Sequence, residues 1–505
     1  MAAKEIEKPG NEVTRRLIIA GRQVQGGYKK VADSVLVRAR VIKNERYELL
    51  SEENSKILTQ TSAGTPMGEL LRRYWHPVAP SLELRERRVM PVRILGEDLV
   101  LFLTAHGVPR LVSRRCPHRG SDLSYGWVDQ DWIRCSYHGW AFDGTGRCRQ
   151  MPFEEAAGRE PSPLREKAGL RAYAAAMQGG LVWAYLGPEP APLVPAFEPF
   201  GWKRGFTEVI FSVLPCNWFQ CHENGVDPVH FEWLHSNWTA VLNRQDSAVF
   251  APRHIEISFE EFEFGYICGR QVEDGPADAD GPIFRSSRTA DGGVLCIWPN
   301  ALMTGPTFEW RVPVDDRTTL NVTWQYLILP QDVPPAQQAD IPYWYAPVTD
   351  GGRMISSHVL NQDFTAWVGQ GPIADRSSEL LGRTDAGITR LRHRYIREAE
   401  RVARGEDPPG LVRDPAANVN IQLPVRRKER YVDGLPREAL EQEIAVQKRL
   451  GYAADGPPSV LAGRPRHVRR LYEAAISMPG TAVPTECRDW QEAQAASAAA
   501  QESHE

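Results

Sequence analysis

The sequence predicts an α+β protein in which an all-β module precedes a larger domain of antiparallel sheet flanked by helices. Three observations carry that prediction. Between Val89 and Val112, short Val/Ile/Leu runs are broken by Gly-Glu-Asp and His-Gly, the texture of hairpins. An apolar run at Leu181–Leu186 reads as a last strand, and the stiff segment Gly187 to Pro192 that follows is of the kind that spaces domains apart. Beyond it, residues 193–400 alternate apolar runs with helix-like stretches.

Taken in order, residues 1–60 read as a partly ordered extension, rich in Lys, Arg and Glu and carrying a Val-rich run at Val35–Val41. The all-β module spans 61–190. It opens with Gly64-Thr65-Pro66, a turn able to start a helix, and Met67 to Trp75 has helical spacing of its apolar residues. The second domain, 191–440, offers strand-like runs at Val209–Val213, Ile255–Phe264 and Thr319–Leu329. Helical texture appears near 217–236 and from Ser377 to Arg404. The charged region 425–475 reads as surface helices, and 441–505 as a helical region ending in a tail, Gln491–Glu505, with too few apolar residues to fold alone.

Composition narrows the function. The 505 residues are 42% apolar and 25% charged with a formal charge of −4, which describes an ordinary globular protein. With 60 Lys and Arg against 64 Asp and Glu there is no basic excess for a phosphate backbone, so nucleic acid is excluded as a partner. Membrane association is excluded too, because a span needs about 18–20 apolar residues. The best stretch, Ala174 to Leu186, is interrupted by Gln178, Gly179 and Gly180. The first residues mix charges and lack a secretory pattern, which predicts a cytoplasmic protein. Eight cysteines are too sparse for a disulfide scaffold.

Two of those cysteines stand beside histidines. Cys116-Pro-His118 is followed, after sixteen residues, by Cys135-Ser-Tyr-His138. Zinc also accepts two thiolates and two imidazoles, but finger-type spacing usually puts the cysteines together and the histidines together. Here each pair is mixed. A [2Fe-2S] cluster whose one iron takes two histidines and whose other takes two cysteines explains this, since each loop then serves both irons. Gly120, Gly126 and Gly139 allow tight turns whose N–H groups can face the sulfides. Cys148, Cys216, Cys221, Cys268, Cys296 and Cys487 fit no such spacing and read as small buried hydrophobes.

A second constellation lies downstream, where Asp227-Pro-Val-His230 and His235 form an Asp-x2-His-x4-His pattern. Two neutral imidazoles and a carboxylate make the facial triad of non-haem Fe(II), with positions left for O2 and substrate. On a regular helix, at about 100° per residue, His230 and His235 would lie about 140° apart, too far to share a metal. The backbone must therefore be irregular, either a π-type bulge or a helix that ends before His235. Asp227, three residues before His230, shares its face and can take the ring N–H; an N-cap before Pro228 is the plainer use. His222 fits no ligand position.

Cys116-Pro-His118-Arg-Gly and Cys135-Ser-Tyr-His138-Gly-Trp-Ala-Phe-Asp-Gly resemble the Rieske domain of ring-hydroxylating oxygenases, and residues 217–235 resemble the iron motif of the same family. The likeness covers about residues 60–400. It implies an N-terminal Rieske [2Fe-2S] domain and a C-terminal iron domain, with Cys116, His118, Cys135 and His138 holding the cluster and His230 and His235 the iron. It also implies the third iron ligand: Asp363, in Gln362-Asp363-Phe364 before Gly369-Gln-Gly-Pro372, is similar to the ligating aspartate of phthalate-dioxygenase-like members. Asp375 is the nearby rival, but Asp-Arg there reads as a local ion pair or cap.

In that family a head-to-tail homotrimer sets the cluster of one subunit beside the iron of the next. The resemblance therefore makes Asp227 the bridge from the iron ligand His230 to the partner subunit's His138. The expected activity is oxygenation, by hydroxylation or O-demethylation, of a small aromatic compound, an aromatic carboxylate by preference. No Gly-x-Gly-x-x-Gly dinucleotide turn is present, so electrons must come from a separate NAD(P)H-dependent reductase. Arg114, Arg115 and Arg119 flank the first cluster loop and offer it a basic edge. Phe231, Trp233, Trp238 and Trp298 are candidates for an apolar pocket, although core packing is the commoner fate of such rings. The alternatives are an electron carrier or redox sensor using the cluster alone, and a zinc-stabilised binding protein.

Overall fold

The structure is a computed structural model, described at residues 50–156, 162–242, 244, 254–272, 294–333, 338, 340–425, 427–449 and 459–477. The extension up to residue 49, with its Val35–Val41 run, Cys487 and the Gln491–Glu505 tail lie outside the described residues.

The expected hairpins are present. Strands Val89–Ile94, Glu97–Leu103 and Pro109–Ser113 form one side of a six-stranded antiparallel sheet, completed by Ala172–Gln178, Leu181–Tyr185 and, at the far edge, Trp75–Pro80. A smaller four-stranded sheet is inserted between Pro109–Ser113 and Ala172–Gln178; its strands are Trp127–Asp129, Trp132–Arg134, Ala141–Phe142 and Cys148–Gln150. The cysteine-histidine pairs sit on loops beside this insert.

The second domain is built on an eight-stranded sheet. Its strands run in the order His254–Phe262, Gly265–Val272, Val294–Ile297, Ala301–Thr304, Thr307–Asp315, Thr318–Ile328, Gly205–Leu214 and Tyr343–Tyr345. All neighbours are antiparallel except Tyr343–Tyr345, which runs parallel to Gly205–Leu214. Nearly every residue of Gly205–Leu214 is buried, the polar Thr207, Glu208 and Ser212 included, so both faces of this strand are covered. Helix Ala386–Ala403 buries Leu391, Tyr395, Ala399 and Val402, one stripe at helical spacing.

Several expectations are corrected. The helix that begins at Pro66, capped by the Thr65 hydroxyl, stops at Leu71 rather than reaching Trp75. Trp75 instead pairs with Tyr185, and its indole N–H donates to Pro192 O at 2.8 Å, so tertiary pairing overrides the local pattern. The end of the presumed extension is a helix, Glu52–Thr59, seated in the core by the fully buried Leu58; Thr59 O accepts Asn217 Nδ2 at 2.9 Å. The helix expected from Ser377 starts only at Ala386. Nor does Gly187–Pro192 hold two cores apart: Leu101 and Trp183 from the first sheet share one apolar cluster with Val209 and Trp324 from the second. Trp183 and Trp310 meet edge-to-face across the join at 5.3 Å.

Candidate metal centres

Both cluster loops make the same turn. Gly120 N–H donates to Cys116 O at 2.9 Å, Gly139 N–H donates to Cys135 O at 3.0 Å, and each glycine has φ of +72°, where a Cβ would be strained. Gly126 is different: its backbone is extended, and it is needed because a Cβ would fall 2.2 Å from Arg134 O. Arg114 pins the first loop through Asp122 at 2.6 Å, and Arg134 holds the second through Gly139 O at 2.6 Å. Arg119 lies over the Tyr137 ring at 5.5 Å.

These turns put the two sulfurs inside and the two imidazoles outside. Cys116 and Cys135 are 2% and 1% exposed, whereas His118 and His138 are exposed with ring centroids 4.4 Å apart. Trp140 stacks on His118 at 4.4 Å. Burial, with Cys135 beside it, pushes the Cys116 thiol up to about 12, so the thiolate must be won by metal binding. Among the described residues these four are not a set converging within 4.8 Å, as a tetrahedral zinc site requires. Sulfurs on one side and imidazoles on the other fit the two ends of a Rieske cluster. The described cysteines outside this site, Cys148, Cys216, Cys221, Cys268 and Cys296, are all buried, in keeping with their reading as small hydrophobes.

The one group of three or more potential metal ligands that does converge, among the described residues, is His230, His235 and Asp363. His230 Nε2 lies 3.6 Å and His235 Nε2 3.3 Å from Asp363 Oδ1. The irregular backbone that the five-residue spacing demands is a π-helix, Trp233–Trp238, following the short turn His230–Glu232. Side chains confirm the wider winding, with Ser236 Oγ donating to Phe231 O and Asn237 Nδ2 to Glu232 O, each five residues back. Asp363 arrives from the facing helix, Val359–Gly369.

Each ring is held by its other nitrogen. His235 Nδ1 donates to Gln362 Oε1 at 3.0 Å, and that amide is itself anchored by donating to Thr239 Oγ1 at 2.7 Å. His230 Nδ1 donates to Asp227, but to the backbone carbonyl; the carboxylate is 3.8 Å away and takes the Val229 N–H at 3.0 Å. The expected ring-to-carboxylate bond is thus replaced by a carbonyl bond, because the short turn before His230 brings the main chain closer than the side chain. Both Nε2 atoms are left facing the Asp363 carboxylate, which suits a cation between them.

Electrostatics agree. Burial lowers the His230 pKa against the pull of Asp227 and Asp363. For His235 burial is outweighed by Asp363 and the Gln362 bond, which raise it. Asp363 is held below its ordinary value, despite burial, by the two histidines and Arg311. Asp375 has no part here: it is exposed and caps a local turn, accepting from Ser377 and Ser378. Its neighbour Arg376 goes instead to the buried Glu223 at 2.7 Å. His222 is a core residue, accepting from or donating to Tyr395 OH at 2.8 Å.

The triad opens on a cavity of about 260 Å³. Of the four aromatic candidates only Phe231 lines it; Trp233 is 64% exposed and Trp298 packs on Tyr395 in the core. Several lining residues carry no sequence signal. Asn224 Nδ2 stands 3.3 Å from His230 Nε2 and 3.2 Å from Asp363 Oδ1. Arg270 lies over the Phe231 ring at 4.6 Å. Glu309 is buried in the floor, its carboxyl pushed up to about 7 by burial, with Arg311 opposing and Asp363 adding to the rise. The outer wall comes from the charged C-terminal region: Arg430, Tyr431, Leu440, Glu443 and Tyr472.

Comparison with known proteins fits this geometry. Residues 74–173 match the Rieske [2Fe-2S] domain, and residues 350–425 match the LigXa C-terminal domain like family. The chain is 43% identical to the 5,5'-dehydrodivanillate O-demethylase oxygenase subunit of Sphingobium sp. (strain NBRC 103272 / SYK-6), over 85% of this chain and 97% of that protein. It is 32% identical to the tert-butanol monooxygenase / tert-amyl alcohol desaturase oxygenase subunit of Aquincola tertiaricarbonis, over 84% and 94% of the two chains. With the phthalate 4,5-dioxygenase oxygenase subunit of Pseudomonas putida it shares 30% identity over 68% and 85%. The relatives are oxygenase subunits, so the electron-carrier alternative is not favoured. An oxygenase component of this kind uses O2, a Rieske cluster and mononuclear Fe(II), and draws electrons from a separate protein. No described helix is long and apolar enough to cross a membrane. Sequence and fold together make this chain a member of the Rieske non-haem iron aromatic ring-hydroxylating oxygenases, as an oxygenase subunit.

Proposed function

We propose that this oxygenase O-demethylates a methoxylated aromatic carboxylate, with iron held by His230, His235 and Asp363 and the cluster by Cys116, His118, Cys135 and His138. The observation that carries the reading is the convergent triad lining a largely apolar cavity. The relative sharing 43% identity is named as an O-demethylase, which favours demethylation over ring dihydroxylation. Bound iron supplies O2 activation.

The chain's own residues supply the rest. Asp227 O and Gln362 fix the two imidazoles by their Nδ1 hydrogens. Asn224 brings an amide N–H to the edge of the triad. Phe231, Leu302 and Leu360 wall the cavity against water, and Arg270 places positive charge where a carboxylate can be received. The finer partnership also belongs to this reading: an NAD(P)H-dependent reductase as donor, and a homotrimer in which the Asp227 carboxylate, not engaged by His230, reaches the partner subunit's His138. A cytoplasmic setting belongs to this reading too, the five described cysteines outside the cluster loops forming no disulfide.

The test is reconstitution with a surrogate reductase and a panel of methoxybenzoates under O2. Formaldehyde released in step with the phenol product supports the reading. Cis-dihydrodiols without formaldehyde would overturn it.

A further inference from the structure

The floor of the cavity carries a group of polar atoms that neither metal holding nor carboxylate binding uses. Three neighbouring strands build it: Ala301–Thr304, Thr307–Asp315 and Thr318–Ile328. In their register Thr304 faces Thr307, Thr307 faces Gln325, and Leu302 faces Glu309. Side chains two residues apart share a sheet face, so Thr304, Thr307, Glu309 and Gln325 stand side by side, and all four line the cavity.

Three of the four bring a buried atom without a hydrogen bond: Thr304 Oγ1, Glu309 Oε2 and Gln325 Oε1. Glu309 is 2% and Gln325 4% exposed. Folded proteins rarely leave such atoms unmatched, and three on one face of one cavity mark a place shaped for a ligand's hydrogen. Arg311 Nη2, 3.2 Å from Glu309 Oε2, balances the charge of that carboxylate without satisfying its lone pairs. All three oxygens can accept, and a ligand's carboxylate brings none of the hydrogens they lack. The row suits a neutral donor, and on an aromatic ring that donor is a phenolic hydroxyl.

We propose that Glu309, with Gln325 and Thr304, receives a phenolic hydroxyl, so that the substrates are hydroxylated aryl methyl ethers rather than fully etherified ones. The inference rests on the oxygenase reading above and names the substrate's second handle. Glu309 and Thr304 are specificity-determining residues in this scheme.

The test is anaerobic binding to the reduced holoenzyme, followed by calorimetry, of 4-hydroxy-3-methoxybenzoate and of 3,4-dimethoxybenzoate, in which the hydroxyl is capped. The phenol is expected to bind about 10-fold more tightly, the effect of one well-made hydrogen bond. Glu309→Gln should shrink that preference to within about threefold. Because this substitution strips Arg311 of its partner, the isosteric Thr304→Val gives a second reading and should lower the preference about threefold or more. Equal affinity of the two probes, or a preference that survives both variants as a steric effect would, overturns this inference and leaves the oxygenase reading intact. If neither probe binds the iron-loaded protein, the aromatic carboxylate reading fails and this inference falls with it.

Discussion

Asp363 and Asp375 stand twelve residues apart and show how surroundings decide the use of a carboxylate. The first is buried opposite two imidazoles; the second is exposed and satisfied by Ser377 and Ser378. Asp363→Ala is therefore expected to remove the mononuclear iron and all turnover while the cluster keeps its visible absorption, and Asp375→Ala to change neither; metal analysis beside a spectrum checks both. Gln362 acts one step back. Gln362→Leu removes the oxygen to which His235 Nδ1 donates and should weaken iron binding about 10–100-fold, read by competition with a chelator. The candidate ligands were legible because histidines, cysteines and aspartates at fixed spacings announce metal chemistry. Gln362 and Asn224 were not, since an amide has no such signature, and its role comes from where a distant helix is packed.

At the scale of elements, the five-residue step between His230 and His235 is the most informative feature. Arithmetic on a regular helix already required an irregularity, and the chain answers with one wide π-turn. Deleting Asn237, which follows His235 within that turn, should restore α winding and leave the two rings on different faces, about 140° apart. Iron is then lost although the fold and the cluster survive, as circular dichroism and the visible spectrum would report. Deleting Leu234 instead shortens the step to four residues and should retain more iron, because rings four apart share a face. The strands were equally legible: Val209–Val213 and Thr319–Leu329 reappear as Gly205–Leu214 and Thr318–Ile328. The helix read through to Trp75 was not, because the strand pairing that claims Trp75 lies more than a hundred residues away.

For the whole molecule, the join between the two sheets matters most. His76, on the strand at that join, donates from Nε2 to Leu71 O at 2.8 Å and accepts at 3.3 Å from Asn300, in the turn between Val294–Ile297 and Ala301–Thr304 of the second sheet. Burial pulls its pKa down to about 4 from an ordinary 6.5. Between those values the unfolded chain takes up a proton that the folded one refuses, so stability is intact above pH 6.5 and falls as pH drops toward 4, by about 3 kcal/mol in all. Urea denaturation at pH 7 and pH 4 should show that loss in the native protein and a correspondingly smaller one in His76→Gln. The join was hidden from sequence reading, where Gly187–Pro192 promised separation; proline content reports local stiffness and says nothing of the cores on either side. The charged C-terminal region does form helices at the surface, as read; that Tyr431, Leu440 and Tyr472 turn inward to the cavity carried no sequence signal, because it depends on the sheet they face.

That outer wall has an evolutionary consequence. The residues proposed to hold the cluster and the iron all lie upstream of residue 370, whereas Arg430, Tyr431, Leu440, Glu443 and Tyr472 line the chamber from downstream of it. Descendants of one ancestral enzyme can therefore diversify their diet by drift in a terminal stretch while electron delivery is conserved. Chimeras that exchange residues 427–477 between homologues should inherit the donor's palate and the recipient's wiring.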